Sequence, residues 1–284
     1  MNYGFSLELE KAHKSPEDKV FGSASYPCIA LISEEERLKH LPDGEVQIAR
    51  EDVMDCASRG PINIWEAKFT YLIRNKKLPL KHELWLREKG YVTAKGTVEF
   101  SDAFVAINSG TTKQGNSLKA PLEAARKMGL IPKHLLPKEN WMSFEDYHNP
   151  ERITESMKEL GKEFLSYFVL NYEQVSEKDY GELLEKDMLD VAGYAWPVEV
   201  NGVFPRSDLD PNHVFVVWSR PKYRVFDNYK DTDGDFIKFL ASDYDLLDYG
   251  YRVTVNLEKV DQVKKNLFQT FLGFLKRYFY EIFA

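Results

Sequence analysis

Disulfide-forming cysteines, long apolar runs and an excess of positive charge are all missing from this sequence. Its 284 residues contain only two cysteines, too few for a disulfide framework. No apolar run approaches the roughly 20 residues that a membrane span needs, and the polar opening residues do not resemble a secretory signal. The net charge is −7, whereas nucleic-acid binding requires a basic surface. We therefore expect a protein of a reducing compartment, without a membrane span, a signal peptide or a nucleic-acid partner.

Metal-binding patterns are missing as well. The six histidines show no paired ligand spacing such as H-x-x-x-H. The run DTDGD, which begins at Asp231, resembles part of a calcium loop, but no acidic residue stands at the twelfth position. We interpret it as a hairpin turn, and we expect neither a metal nor a cofactor.

What the chain does have is enough apolar sequence for a sizeable core, with 43% hydrophobic and 14% aromatic residues. Residues 1–44 have little periodicity and many turn signals, so we expect an arm that lies over the domain. Helical spacing prevails over about 45–192, and helices are expected over Ile153–Val169 and Tyr180–Val191. Ser101 and Ser117 are typical N-caps of two shorter helices in this region.

The hydrophobic period changes near residue 193. β-Branched and aromatic runs then alternate with turn residues as far as about residue 256, in the segments WPVEVNGVF, HVFVVWS, YRVFDNY and YRVTVNL. Such runs predict an antiparallel sheet. The chain is therefore predicted to be α+β, with a helical lobe at about 45–192 and a β lobe at about 193–256.

The segment Leu257–Phe283 has the spacing of a long amphipathic helix with an aromatic stripe. Three interpretations stay open: packing on its own domain, contact with a partner or a second copy, and a position on a membrane surface.

Cys56 is the candidate nucleophile, because it stands where an irregular segment turns into a helix. The helix is predicted by apolar residues at three- and four-residue spacings, namely Ile62, Trp65, Phe69, Leu72 and Ile73. The backbone N–H groups of a helix start favour a thiolate and lower the pKa of a cysteine placed there. The alternative is a buried, inert thiol that only packs.

Three other polar residues complete a candidate site. His213 opens the predicted strand HVFVVWS, and Asp227 and Asn228 follow the next strand, so that one of the two can stand behind the imidazole. Gln47 could donate to an oxyanion together with backbone N–H groups.

The order of these motifs resembles the papain-like cysteine peptidases, and specifically their short relatives encoded by tailed phages and bacteria. In that family a cysteine begins the central helix and a glutamate follows ten residues later, as Cys56 and Glu66 do here. The segment FSDAFVAINSG and the segment QGNSLKAPLEAARKMGLIP stand where the family has a short helix, a Gly-rich loop and another helix. The runs EDKVFGS, LPDGEVQ and VFDNY are further shared features, and the resemblance spans about Glu17 to Leu257.

The resemblance implies a two-lobed papain-like fold and a thiol hydrolase that cleaves peptide bonds. Cys56 would be the nucleophile, His213 the base and acid, and Asp227 would stand where the family has asparagine. Gly115 and Asn116 would border the substrate backbone. The implied partners are a polypeptide substrate or viral structural proteins, in the cytoplasm or a virion.

Some residues depart from the family pattern. Arg50 stands six residues before Cys56, where the family has glutamine, and Gln47 is nine residues before it. Arg59-Gly60-Pro61 follows the cysteine, and proline inside a helix costs about 3 kcal/mol. We therefore expect the helix to restart at Pro61, with Cys56 on a loop and Asp55 opposing the thiolate.

Two functions stay open at this point. One is an active peptidase. The other is a catalytically degenerate papain-fold protein that serves in the structure or assembly of a virus particle and binds partners through the N-terminal arm and the aromatic C-terminal helix.

Overall fold

The computed structural model of the protein describes residues 4–13, 21, 32–220, 223–231 and 233–257. Within these ranges eight of nine α-helices precede the first of six β-strands. The helices are α1 (Leu7–His13), α2 (Glu34–His40), α3 (Cys56–Arg74), α4 (Leu80–Glu88), α5 (Asp102–Asn108), α6 (Lys119–Met128), α7 (Phe144–Tyr147), α8 (Glu155–Tyr167) and α9 (Tyr180–Lys186). The strands are β1 (Val169–Ser176), β2 (Leu189–Gly193), β3 (His213–Ser219), β4 (Arg224–Phe226), β5 (Ile237–Phe239) and β6 (Tyr249–Asn256).

The strands form one antiparallel sheet in the order β1-β6-β2-β3-β4-β5. β6 pairs with β1 along its whole length, and Gly193 of β2 lies opposite His213 of β3. Every residue of β3 is buried. Alternate side chains of a strand point to opposite faces, so Val214 and Val216 pack in the core around α3 while Phe215 packs in the core around α9.

The helix α3 lies in the centre of the molecule against this sheet. All its residues from Cys56 to Thr70 are buried, which is the pattern of a helix covered on every side. Trp65 donates its indole N–H to the Thr254 carbonyl of β6 at 3.2 Å. The buried ammonium of Lys68 contacts the Asp187 carboxylate at 2.7 Å. These contacts fix α3, and with it Cys56, against the sheet.

The expectation that the helix restarts at Pro61 is wrong. α3 runs without interruption from Cys56, with Pro61 in its second turn. Pro61 lacks the N–H that would bond to the Ala57 carbonyl. The loss is one backbone hydrogen bond, whereas the burial of each large side chain of α3 stabilises the fold by about 1.5–3 kcal/mol. Burial of the helix therefore outweighs the cost of the proline.

The predicted α+β class is confirmed, and the boundaries differ in three places. The helix expected over Tyr180–Val191 ends at Lys186, and the buried strand β2 follows. β1 was not predicted, and the segment WPVEVNGVF forms only isolated bridges. β2 is buried on both faces, so it lacks the alternation that distinguishes a strand from a helix in sequence.

The predicted N-cap Ser101 is confirmed, since its hydroxyl accepts from the Phe104 N–H at 3.2 Å. The Ser117 hydroxyl accepts from the Ala120 N–H at 3.1 Å, but the N-cap of α6 is Leu118, one residue later. The strands β1 and β2 belong to the sheet, although they lie within residues 169–193, where the helical lobe was expected. The division into arm (1–44), domain (45–256) and terminal helix (257–284) stays a prediction. The helix expected over Leu257–Phe283 lies outside the described residues, apart from Leu257 itself. In the described ranges no helix has the length and apolar character to cross a membrane.

Gly129 offers a test of how tightly α6 and α8 pack. It ends α6 with φ +78°, and a Cβ there would lie 1.9 Å from the Gly161 carbonyl oxygen of α8. Gly110 has a similar φ of +74° with nothing within 4 Å of the same position. We expect Gly129→Ala to lower the free energy of unfolding by about 1–3 kcal/mol more than Gly110→Ala, because both variants strain the backbone but only one overpacks. Urea denaturation followed by circular dichroism measures both, and equal losses would contradict the packing described here.

Candidate active site

The first turn of α3 is held by a buried charge network. The Asp55 carboxylate accepts from Arg59 Nε at 2.7 Å and from the Tyr147 hydroxyl at 2.5 Å. The Arg59 guanidinium also contacts Asp102 at 3.0 Å and Glu45 at 3.4 Å. Since buried charges are stable only when paired, these contacts fix the backbone on which Cys56 stands.

The Cys56 thiol is fully buried at this helix start. Burial raises the pKa of Cys56 well above its ordinary value, and the nearby carboxylates of Asp55, Asp52 and Asp227 act in the same direction. A hydrogen bond from the Val214 backbone acts against them. The expectation that the helix start lowers the pKa of this thiol is therefore wrong for the arrangement seen here, and the opposition expected from Asp55 is confirmed.

His213 and Asp227 form a buried pair. Pairing between β3 and β4 aligns Val216 with Phe226, which carries Asp227, the next residue, towards the start of β3. His213 Nε2 lies 2.5 Å from Asp227 Oδ1, and both side chains are fully buried. The aspartate thus orients the imidazole through Nε2, and Nδ1 is the ring nitrogen on the other side.

The other carboxylate oxygen of Asp227 has two partners that the sequence reasoning missed. Its Oδ2 accepts from Trp196 Nε1 at 3.0 Å and from Lys238 Nζ at 2.8 Å. Burial alone would raise the pKa of Asp227, but the charges and hydrogen bonds of His213 and Lys238 bring it below its ordinary value. Asp227 is therefore held as a carboxylate by three side chains, those of His213, Lys238 and Trp196. The only sequence signal for this ion pair was a lysine in the middle of a short strand. The sequence did not show which face of the sheet that lysine occupies.

The packing of α3 on β3 places Cys56 next to Val214, the residue that follows His213. Val214 follows His213 directly, and its backbone hydrogen-bonds to the Cys56 thiol. A Cβ on Gly60, one turn along α3, would lie 3.0 Å from the Val214 side chain. The nucleophile and the imidazole thus come from adjoining ends of the central helix and the central strand.

Gln47 is also part of this site, through Asp52 and Tyr229. Its side-chain nitrogen donates to Asp52 at 2.6 Å and lies 2.9 Å from the Tyr229 hydroxyl, which itself donates to Asp52. The Tyr229 ring stands 5.1 Å from the His213 ring, and burial raises the pKa of Tyr229. Sequence reasoning placed Gln47 here but missed that a carboxylate and a phenol hold its amide.

Gly115 and Asn116 lie in the loop between α5 and α6. Gly115 has φ +89°, and the Asn116 amide donates to Ser109 Oγ at 3.0 Å and Thr111 Oγ1 at 3.1 Å. The backbone of Asn116 pairs with the chain's own residues Gly4 and Ser6. The loop thus pairs its main chain with residues 4–6.

Glu66 is buried and accepts from the Phe100 N–H at 2.6 Å, so it joins α3 to the chain before α5. In the ranges given above, no group of three His, Cys, Asp or Glu side chains is arranged to hold a metal ion.

Comparison with known proteins identifies the fold. Neither protein-family models nor curated proteins gave a match. Among solved structures the chain is similar to xylellain, a cysteine protease from Xylella fastidiosa, with a TM-score of 0.54 and 13% identity over 89% of this chain and 96% of that chain. It is similar to the ragweed pollen allergen Amb a 11, a cysteine protease in its proform, with a TM-score of 0.53 and 12% identity over 90% of this chain and 76% of that chain. It is also similar to procathepsin B S9 from Trypanosoma congolense, with a TM-score of 0.52 and 12% identity over 90% of this chain and 87% of that chain. The chain therefore has a papain-like α+β fold, and its chemistry has to be argued from its own residues.

Lys238 gives a test of the charge balance around Asp227. Lys238→Met removes one partner of a buried ion pair, and we expect the free energy of unfolding to fall by about 3–5 kcal/mol. Adding Asp227→Asn removes the uncompensated charge and keeps an oxygen for His213, so the double variant should recover a large part of the loss. Urea denaturation of the single and double variants measures this, and equal stability of the two would contradict the pairing.

The same variant should change the dependence of stability on pH. A carboxyl whose pKa is lowered on folding contributes stability above its unfolded pKa, and that contribution is lost as the pH falls through the folded value. Without Lys238 the folded-state pKa of Asp227 moves up towards or past its unfolded value, so Lys238→Met should lose less stability than the parent as the pH falls. Thermal midpoints measured from about pH 7 down to about pH 3 test this. Parallel curves would contradict it.

Proposed function

We propose that the protein is a papain-like thiol hydrolase that cleaves peptide bonds. The observation that carries the proposal is the 2.5 Å contact between His213 Nε2 and Asp227 Oδ1, in a strand whose next residue hydrogen-bonds to the Cys56 thiol. A cysteine at a helix start beside an imidazole that a third group orients is the arrangement that nucleophilic catalysis requires.

The reaction follows from these positions. His213 takes the thiol proton through Nδ1 while the Cys56 sulfur bonds to the substrate carbonyl carbon. The same proton then passes to the leaving amine as the C–N bond breaks, and water hydrolyses the resulting thioester with His213 again as base. Asp227 holds the imidazole and stabilises its cation, and Lys238 keeps Asp227 ionised. Proton transfer of this kind contributes about 10²–10⁴-fold to the rate.

Gln47 is assigned to the oxyanion. Its side-chain nitrogen now contacts Asp52 and Tyr229, so it has to exchange one of these partners for the substrate oxygen when the tetrahedral intermediate forms. A donor aimed at that oxygen is typically worth 10²–10³-fold in kcat.

The substrate class proposed is an extended polypeptide, and Gly115 and Asn116 support it because their main chain already pairs with an extended segment. A phage origin, a cytoplasmic or virion location and the contact through Leu257–Phe283 belong to the proposal through sequence resemblance and composition alone.

A second candidate is a papain-fold protein that has lost catalysis and serves as a structural or assembly component of a virus particle. The observation that favours it is the state of the thiol, which is fully buried with a raised pKa. Hydrolysis assays distinguish the two candidates.

The assay uses a Cys28→Ser background, so that Cys56 is the only thiol, and an unfolded, fluorescently labelled protein as substrate. We expect Cys56→Ala to abolish cleavage and His213→Ala to reduce kcat by about 10²-fold or more. Ser58→Ala is the matched control, because it removes one buried atom two residues further along the same helix and should leave cleavage within about twofold. Cleavage that survives Cys56→Ala, or its absence from the parent, would favour the structural candidate.

A further inference from the structure

The side chain of Gln47 is buried in the candidate site, on a backbone that is fixed from two sides. The Gln47 N–H donates to the Asn228 carbonyl at 2.9 Å. The carbonyls of the residues on either side, Val46 and Ile48, both accept from the ammonium of Lys138. Because the main chain is held in this way, the orientation of the Gln47 amide depends on what the end of its side chain contacts.

A tight loop over residues 47–52 brings Asp52 against this amide. Ile48 and Asp52 form an isolated antiparallel bridge across the loop. Asp52 Oδ1 accepts from Gln47 Nε2 at 2.6 Å, and Asp52 Oδ2 accepts from the Tyr229 hydroxyl. Gln47 Nε2 also lies 2.9 Å from that hydroxyl. The amide, the carboxylate and the phenol thus form a closed triangle of hydrogen bonds.

Within this triangle only Asp52 can determine which end of the Gln47 amide faces inwards. An ionised carboxylate accepts hydrogen bonds and cannot donate them, whereas an amide has a donor end and an acceptor end. If the amide turned over, its oxygen would meet a carboxylate oxygen at the present separation of 2.6 Å, and two acceptors repel each other. The Tyr229 hydroxyl can donate or accept, so it tolerates either orientation. The carboxylate therefore selects the donor end of Gln47.

The same carboxylate holds the backbone that leads to the nucleophile. Met54, two residues before Cys56, has φ +54°, a left-handed conformation that residues with a side chain rarely adopt. Its N–H donates to Asp52 Oδ1 at 2.8 Å, the oxygen that also accepts from Gln47. A single oxygen of Asp52 thus connects the amide assigned to the oxyanion with the chain that enters α3.

We propose that Asp52 is a positioning residue for the oxyanion step: it holds the Gln47 amide in the donor orientation and keeps its bond to Gln47 while the substrate oxygen replaces Tyr229. The proposal rests on the proposed function for the use of the amide. A hydrogen bond to a charged acceptor is roughly twice as strong as one between neutral groups. The hydrogen that Gln47 transfers to the substrate oxygen is therefore the one on the Tyr229 hydroxyl, and the bond to Asp52 stays.

Asp52→Asn tests this orientation with little change in shape. The asparagine oxygen can still accept from the Met54 N–H, but the asparagine NH2 can donate to the Gln47 oxygen, so the Gln47 amide can turn over. We expect kcat for the unfolded protein substrate to fall about tenfold or more, towards the loss that follows removal of an oxyanion donor, while KM changes by less than about twofold. Steady-state hydrolysis of the labelled substrate measures both.

The direction of this change excludes a purely electrostatic role. The charge of Asp52 is among those that raise the pKa of Cys56, so its removal alone would favour the thiolate and increase hydrolysis. A rise in kcat, or a value within about twofold of the parent, would overturn the proposal. Glu51→Gln is the matched control, because the neighbouring carboxylate contacts Arg50 and the Phe144 N–H instead and its removal should keep kcat within about twofold.

Two further backgrounds identify the group through which Asp52 acts. In Gln47→Ala the amide is gone, so adding Asp52→Asn should lower kcat by less than about twofold, and a full further loss would overturn the proposal. In Met54→Gly the left-handed backbone is unstrained, so rescue of Asp52→Asn by this glycine would reduce Asp52 to a support of the backbone and overturn its role towards Gln47. We expect the loss of about tenfold to persist there. Circular dichroism establishes which variants are folded.

A measurement that needs no catalysis separates this proposal from the proposed function. In protein labelled with ¹⁵N-glutamine, the Nε2 protons of Gln47 should show nuclear Overhauser contacts to the Tyr229 ring, and Asp52→Asn should weaken them. Gln47→Ala assigns the resonances. Contacts of equal strength in the parent and in Asp52→Asn would overturn the proposal. Weakened contacts in a protein whose parent does not hydrolyse the unfolded substrate would leave the positioning by Asp52 standing and refute the proposed function, so the two failures are distinguishable.

Discussion

The site depends on one buried negative charge, that of Asp227. A carboxylate with no contact to water is stable only when its oxygens are hydrogen-bonded and its charge is balanced. The structure meets both conditions with His213 on one oxygen and with Lys238 and Trp196 on the other. Three separate segments therefore have to be in place before the imidazole is oriented, and the orientation of His213 is a property of the folded β-sheet.

In the structure the Cys56 thiol is buried and the Gln47 amide contacts Asp52 and Tyr229. In that state the nucleophile is surrounded by carboxylates and by apolar side chains, which favour its neutral form. Contact of the thiol with water would lower its pKa, because burial is the largest cause of the raised value and water also screens the carboxylates. The same residues can thus be inert when covered and reactive when uncovered, and the burial of Cys56 is compatible with either function.

The sequence was sufficient for the parts of the structure that rest on local chemistry. The N-cap Ser101 and the strand that begins at His213 could be predicted, because capping and periodicity are local. It was insufficient where long-range burial decides. Pro61 favoured a helix break that the packing of α3 overrides, and β2 lacks the alternation of an exposed strand. The partners Lys238, Trp196 and Asp52 could not be predicted, because which buried cation meets which buried anion depends on the register of distant strands.

The position of β6 has a consequence for how the chain is made. β6 is the last strand of the described chain, yet it lies inside the sheet between β1 and β2. During synthesis the earlier strands are exposed with an unfilled place between them until residues 249–256 leave the ribosome. Residues 4–6 also wait for a distant partner, because the Phe5 N–H donates to the carbonyl of Asn212. Such distant pairings make folding slow and leave sheet edges open to wrong partners, so a nascent chain of this protein is open to aggregation until residues 249–256 have been made.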